Sequence, residues 1–192
     1  MIVRYREYLA ALDKKLDEMF KKQAPFIKCK KGCAFCCKDG EFPISELEYI
    51  GIMFRYEELE DSIKEKVDAN INRLLKSKRT KMYECPFLVD NICSVYKARG
   101  IICRTFGLIS YYGNEHSKMP FCVEMDLNYA EVYDKESEKI VKNASDGTIP
   151  TAFNIDRRTL RNKSVEKEFH ILFGEDKPLI EWLREDFKVD EA

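Results

Sequence analysis

The sequence predicts a mainly α fold, a helical domain carrying a small irregular or β-hairpin element that clustered cysteines tie to the helices. Three observations lead there. Apolar residues recur at helical spacing through residues 2–22, Ser-x-x-Glu boxes open two further helical stretches, and eight cysteines fall into two groups separated by those stretches. At 192 residues the chain is long enough to bury a core without covalent staples.

In chain order, Tyr5, Leu9, Leu12, Leu16 and Met19 lie four, three, four and three residues apart with Lys and Asp/Glu between them, an amphipathic helix that Pro25 ends. Lys38-Asp39-Gly40 reads as a turn. Ser45-Glu-Leu-Glu48 is a capping box opening a helix to about Tyr56, and Ser62-Ile-Lys-Glu65 is a second box opening a helix to about Lys78. The basic run over residues 76–81 is a solvated helix end whose charge suits the helix dipole. Residues 85–93 form two short extended pieces about an Asp90-Asn91 turn, and Gly100 closes a helical turn begun at Ser94. Residues 101–110 are apolar and β-prone, residues 111–120 are a loop, and helix is expected again over residues 123–143. Asp146-Gly-Thr-Ile-Pro150 breaks it, and the tail holds helices over about 163–173 and 177–187, with Trp182 anchoring the last one. The organisation read from this is a cysteine-bearing domain over residues 1–145 and a helical extension over 146–192 packed on it.

Lys plus Arg (33) nearly balance Asp plus Glu (34), so no bulk charge points to nucleic acid, membrane or an acidic substrate. The charged N-terminus lacks the apolar run of a signal peptide, and no apolar stretch reaches the roughly 18 residues of a spanning helix. A cytoplasmic location is expected. In a reducing compartment thiols serve more often as metal ligands or catalytic groups than as disulfide partners.

The cysteines are Cys29, Cys33, Cys36 and Cys37, then Cys85, Cys93, Cys103 and Cys122. Soft thiolates suit zinc and iron-sulfur clusters alike. Were the first group helical, Cys29 and Cys37 would stand roughly 12 Å apart along the axis, too far for one ion with bonds of ~2.3 Å. Were it extended, Cys36 and Cys37 would point to opposite sides. Both cases predict two metal centres or one polynuclear cluster, completed by the later four thiols. An iron-sulfur cluster is preferred slightly over zinc, because eight thiols exceed what one zinc uses. Lys28, Lys30, Lys31 and Lys38 flank the ligands and offset their charge, and the fork of Arg104 is a candidate to donate to a ligand sulfur or a backbone carbonyl at the cofactor. His116 and His170 are alternative ligands.

Cys29-x3-Cys33-x2-Cys36-Cys37 followed by Cys85-Pro-Phe-Leu, Cys93-Ser-Val-Tyr96 and Cys103-Arg104-Thr-Phe106 resembles the cysteine-cluster family described as a zinc- or iron-chelating domain. The resemblance covers about residues 26–122 and departs from the common pattern in having Arg99-Gly100 where members show Arg-Pro. It implies metal binding without an assigned reaction. The flagellin lysine N-methylases look similar around the cluster, which makes a methyl-transferring enzyme an alternative. Cys29-x3-Cys33-x2-Cys36 with Phe35 also looks like the radical S-adenosylmethionine motif, although the helical surroundings do not suit the strand-helix barrel of those enzymes. Cys33-Ala-Phe-Cys36 has dithiol spacing, so a thiol redox protein is the third reading. Phosphate-cradling and nucleophile-elbow motifs are absent from the sequence.

Overall fold

A computed structural model of the chain describes residues 1–30, 32–77, 81–111, 113 and 117–187. Lys31, His116 and residues 78–80 of the basic run lie outside the described residues. The architecture is mainly helical, about half of the chain, with short antiparallel strand pairs. Among the described residues no helix is long and apolar enough to cross a membrane.

Helix α1 (Ile2–Lys22) buries Tyr5, Tyr8, Leu9, Leu12 and Leu16 along one face, as the spacing predicts, and ends before the Pro25 turn. Each such side chain, fully buried, contributes roughly 1.5–3 kcal/mol. A single turn, α2 (Phe35–Lys38), carries the adjacent cysteines. Strand β1 (Pro43–Ser45) leads into α3 (Glu46–Glu57), whose predicted capping box forms: Glu48 N–H donates to Ser45 Oγ at 3.3 Å and Ser45 N–H to the Glu48 carboxylate at 2.9 Å. The second box does not form. Helix α4 (Asp61–Lys76) starts two residues earlier, behind Glu60, without a side-chain cap; its apolar face of Val67, Ile71, Leu74 and Leu75 holds it to the core instead.

Strands β2 (Leu88–Val89) and β3 (Ile92–Cys93) form the expected hairpin. Asp90 and Asn91 both adopt positive φ, 52° and 59°, the geometry of a two-residue loop that Asp and Asn tolerate. Two readings are corrected beyond it. The apolar run at 101–110 begins as a helix, α5 (Ile101–Thr105), because the buried Glu48 carboxylate accepts the Ile101 N–H at 2.7 Å and satisfies an orphan amide at its start. The helix expected over 123–143 is replaced by 3₁₀ turns at Phe121–Met125 and Ala130–Val132 and a small hairpin of β4 (Tyr133–Asp134) and β5 (Lys139–Ile140). Asp126 and Tyr129 stand at φ 56° and 64°, which no helix accepts. Tyr129 N–H is spent on Phe26 O at 2.9 Å, a tertiary bond in place of a helical one.

The remaining elements are α6 (Arg157–Leu160), α7 (Lys163–Phe169), β6 (Asp176–Pro178) and α8 (Leu179–Phe187). β6 pairs antiparallel with β1, Ile44 opposite Lys177. Trp182 on α8 stacks on Tyr49 with centroids 5.4 Å apart and donates to Ile44 O at 3.3 Å. Apolar side chains gather into three clusters: α3, α4, α8 and the β2–β3 hairpin; α1 with Ile101, Leu160 and Phe173; and Phe26 with Ile109, Val123, Tyr129 and Val132.

Glu48 is fully buried and accepts from Ser45, Ile101 and Arg161, the last at 2.9 Å. Glu48→Ala is expected to cost about 2 kcal/mol in urea unfolding, because it leaves the Ile101 amide without its acceptor in the interior and removes one of the two carboxylates that hold Arg161, Asp176 remaining. Base should also unfold the chain. Burial raises the hydroxyls of Tyr8, Tyr83 and Tyr129 above their ordinary value, so the folded state holds these protons more tightly than the unfolded one. Their contribution is full below pH ~10 and lost as the pH rises above it; unfolding free energies measured from pH 8 to 11 should fall at the upper end.

Candidate metal centre

Residues 28–30 and 32–34 have no regular structure apart from a turn in which Gly32 stands at φ 88°, a left-handed position that favours glycine. This stretch presents Cys29 and Cys33, and α2 presents Cys36 and Cys37. Residues 37–40 are zipped to 83–85: Cys85 N–H donates to Cys37 O at 2.7 Å, and Gly40 and Tyr83 exchange bonds of 3.2 and 3.1 Å. Cys93 sits on β3 opposite Leu88, Cys103 lies in α5, and Cys122 is buried in the turn at Phe121–Met125.

Seven of the eight cysteines, all but Cys122, line one cavity of about 920 Å³. Its other walls include Phe42, Phe87 and Leu179 from the first apolar cluster, Phe20 beside the second and Ile27 beside the third. The eight cysteines are free thiols. Among the described residues no three Cys, His, Asp or Glu side chains already converge as a finished metal site, so a bound ion has to draw the sulfurs inward. The donors themselves fit zinc or iron, being soft sulfur on every side.

The adjacent pair corrects one expectation. The sulfurs of Cys36 and Cys37 do not diverge but lie 3.9 Å apart, a spacing open both to two ligands of one ion and to neighbouring ligands of two. The segment is a helical turn, in which neighbouring side chains leave at about 100° and rotate towards each other, and not an extended strand.

Burial is the main influence on Cys29, Cys85, Cys93, Cys103 and Cys122. It pushes Cys29 and Cys93 up to about 11 and Cys103 up to about 12, and it raises Cys85 and Cys122. Mutual repulsion divides them. Charge on Cys103, Cys93 or Cys37 opposes ionisation of Cys85, and Cys37 and Cys93 oppose that of Cys103. Cys29 responds to Cys33 and Cys122, and Cys122 to Cys33. Cys36 responds to Cys37, Cys103 and Cys29, and so stands between the two groups.

Several groups favour the thiolates. The backbone amide of Phe87 acts to lower Cys85, that of Val95 Cys93 and that of Asn128 Cys122. The Arg99 charge lowers Cys37, Cys93 and Cys103. Arg104 is 1% exposed and lines the cavity, with its hydrogen bonds going to Arg99 O at 3.0 Å, Lys97 O and Asp13. It therefore holds the backbone that presents Arg99. Lys28 pairs with Glu131 at 2.9 Å, Lys30 lines the cavity and Lys38 ends α2. His170 closes α7 and lines a separate hollow with Met1, Arg4 and Glu166.

Two residues escaped the sequence reading. Arg99 was visible only as a departure from a family pattern. Asn128 had no signal, since it lies in a stretch that reads as helix. Its side chain accepts from Lys28 N–H at 2.8 Å and Cys29 N–H at 3.1 Å, and donates to Gly107 O at 3.1 Å and Cys29 Sγ at 3.5 Å.

Residues 28–141, more than half of the chain and all eight cysteines, match the family model CxxCxxCC, described as "Putative zinc- or iron-chelating domain". The chain belongs to this family. No curated protein and no solved structure matches it. Membership in the CxxCxxCC family supports zinc or iron binding by this cysteine set and says nothing of a reaction.

In the metal-free protein the Cys36–Cys37 pair should lose one proton early and the second late. The hydrogen bond from Cys36 lowers Cys37 to about 7 while Cys36 is driven far up. Limiting iodoacetamide at pH 7 is expected to label Cys37 before Cys93, Cys103 and even the exposed Cys29, as read by peptide mass spectrometry; first labelling at Cys29 would contradict it.

Proposed function

We propose that this protein chelates metal through all eight thiols, in two centres that meet at Cys36 and Cys37. The inner centre is Cys37, Cys85, Cys93 and Cys103; the outer is Cys29, Cys33, Cys36 and Cys122. The observation that carries this reading is the single cavity lined by seven of the thiols, with Cys122 outside it; mutual repulsion links Cys37, Cys85, Cys93 and Cys103 on one side and Cys29, Cys33 and Cys122 on the other, with Cys36 facing both. With the two sulfurs 3.9 Å apart and bonds of ~2.3 Å on either side, the metals stand within about 8.5 Å of each other. Arg99 offsets part of the negative charge that four thiolates leave on a divalent ion.

Iron-sulfur occupancy is favoured over zinc, because a cavity of about 920 Å³ has room for polynuclear clusters. When bound, the metal would supply cross-links between the first cysteine stretch, the β2–β3 hairpin and α5, and so would stabilise the fold.

Anaerobic purification with iron, zinc and acid-labile sulfide analysis tests the assignment. A brown protein containing sulfide is the expected result. A colourless one with two zinc ions keeps the centres and overturns the iron, and one zinc with four freely alkylated thiols overturns both. Metal removal is expected to lower hydrogen-exchange protection first in residues 26–40 and 83–122, where the ligands lie; full protection there after removal would contradict a stabilising role.

A further inference from the structure

We infer that the outer centre exchanges its metal while the inner centre keeps it, and that Asn128 sets how readily the outer centre lets go. The inference builds on the two-centre reading above. The inner thiols sit on framework: Cys85, Cys93 and Cys103 pack against the largest apolar cluster, and Cys37 is tied by its carbonyl to the Cys85 amide at 2.7 Å. Opening that site means unpacking core.

The outer site is built otherwise. Cys29 is the exposed member of the eight, while Cys122 is buried and anchors the far side of the site, and residues 28–30 and 32–34 have no helix or strand. Cys33 N–H bonds Lys30 O at 2.9 Å, within the same stretch, and so adds no tie to the body. The Lys28–Glu131 ion pair is exposed on both sides and contributes at most about 1 kcal/mol. The strong tie is Asn128. It is fully buried, its oxygen holds the amides of Lys28 and Cys29 at 2.8 and 3.1 Å, and its nitrogen bonds Gly107 O at 3.1 Å and Cys29 Sγ at 3.5 Å. A donor on a ligand sulfur disperses the thiolate charge and fixes the sulfur in place, as outer partners of metal ligands do. Asn128 is thus a positioning residue acting through Cys29. In exchange, the metal–Cys29 bond breaks as a donor atom of the acceptor binds the metal; no electron changes hands, and the freed thiolate takes a proton from water.

The test uses the full chain loaded with Zn²⁺ and excess 4-(2-pyridylazo)resorcinol as acceptor. Two release phases of equal amplitude are expected. Cys29→Ser should abolish the fast phase and leave the slow one. Asn128→Asp keeps the oxygen that holds the two amides but removes both donors and sets a negative charge beside Cys29. It should speed the fast phase about 10- to 100-fold with the slow phase unchanged, and Asn128→Gln should restore part of the wild-type rate. Equal acceleration of both phases by Asn128→Asp, or a slow phase lost in Cys29→Ser, overturns the inference while leaving two centres standing. Binding of one zinc per chain overturns the two-centre reading, and the inference with it.

Discussion

A carboxylate with no access to water organises this molecule. Glu48 accepts from its own cap residue Ser45, from the first amide of α5 and from Arg161, whose other donors reach Asp176 beside β1. Three parts of the chain, far apart in sequence, are thereby brought to one point. A buried charge pair is weak as a source of net stability, since desolvation consumes much of the attraction. Its effect is positional: Ser45, Ile101 and Arg161 all donate to the one carboxylate, which ties α3, α5 and the Arg161 turn together. Because α5 carries Cys103 and Arg104, this polar knot also decides where one wall of the thiol cavity stands.

The site repeats that logic with weaker groups. Ordinary backbone bonds bring the cysteines together: the Cys85 amide on Cys37, the hairpin register at Cys93 and the Tyr129 amide on Phe26. Polar donors then soften the cost of ionising buried sulfur, through the amides after Cys85 and Cys93, the Arg99 charge and the Asn128 carboxamide. Seven of the thiols are thereby held around one cavity, and burial keeps Cys29, Cys85, Cys93 and Cys103 protonated at neutral pH. Family membership supports zinc or iron chelation.

Legibility in the sequence followed the range of the forces. Helix α1 announced itself because its stripe of Tyr5, Leu9, Leu12 and Leu16 repeats locally, and the Ser45 box because both of its bonds close within four residues. The Asp90-Asn91 turn was legible for the same reason. The Ser62 box looked identical on paper and did not form, since packing of Val67 and Ile71 chose where α4 begins. Residues 101–105 read as strand because their propensity is local, while the cap that makes them helical comes from Glu48, fifty-three residues away.

The sequence by itself determined the ligand chemistry: eight soft donors, their spacing and the helices that separate them are written in residue types. Only the tertiary structure decided which of those cysteines face one cavity. Nothing in Cys36-Cys37 says that the two sulfurs come within 3.9 Å, and nothing in the run around Asn128 says that its side chain holds the Cys29 loop. Both depend on contacts across tens of residues, whose energies are set by burial and geometry and leave no period or motif in the chain.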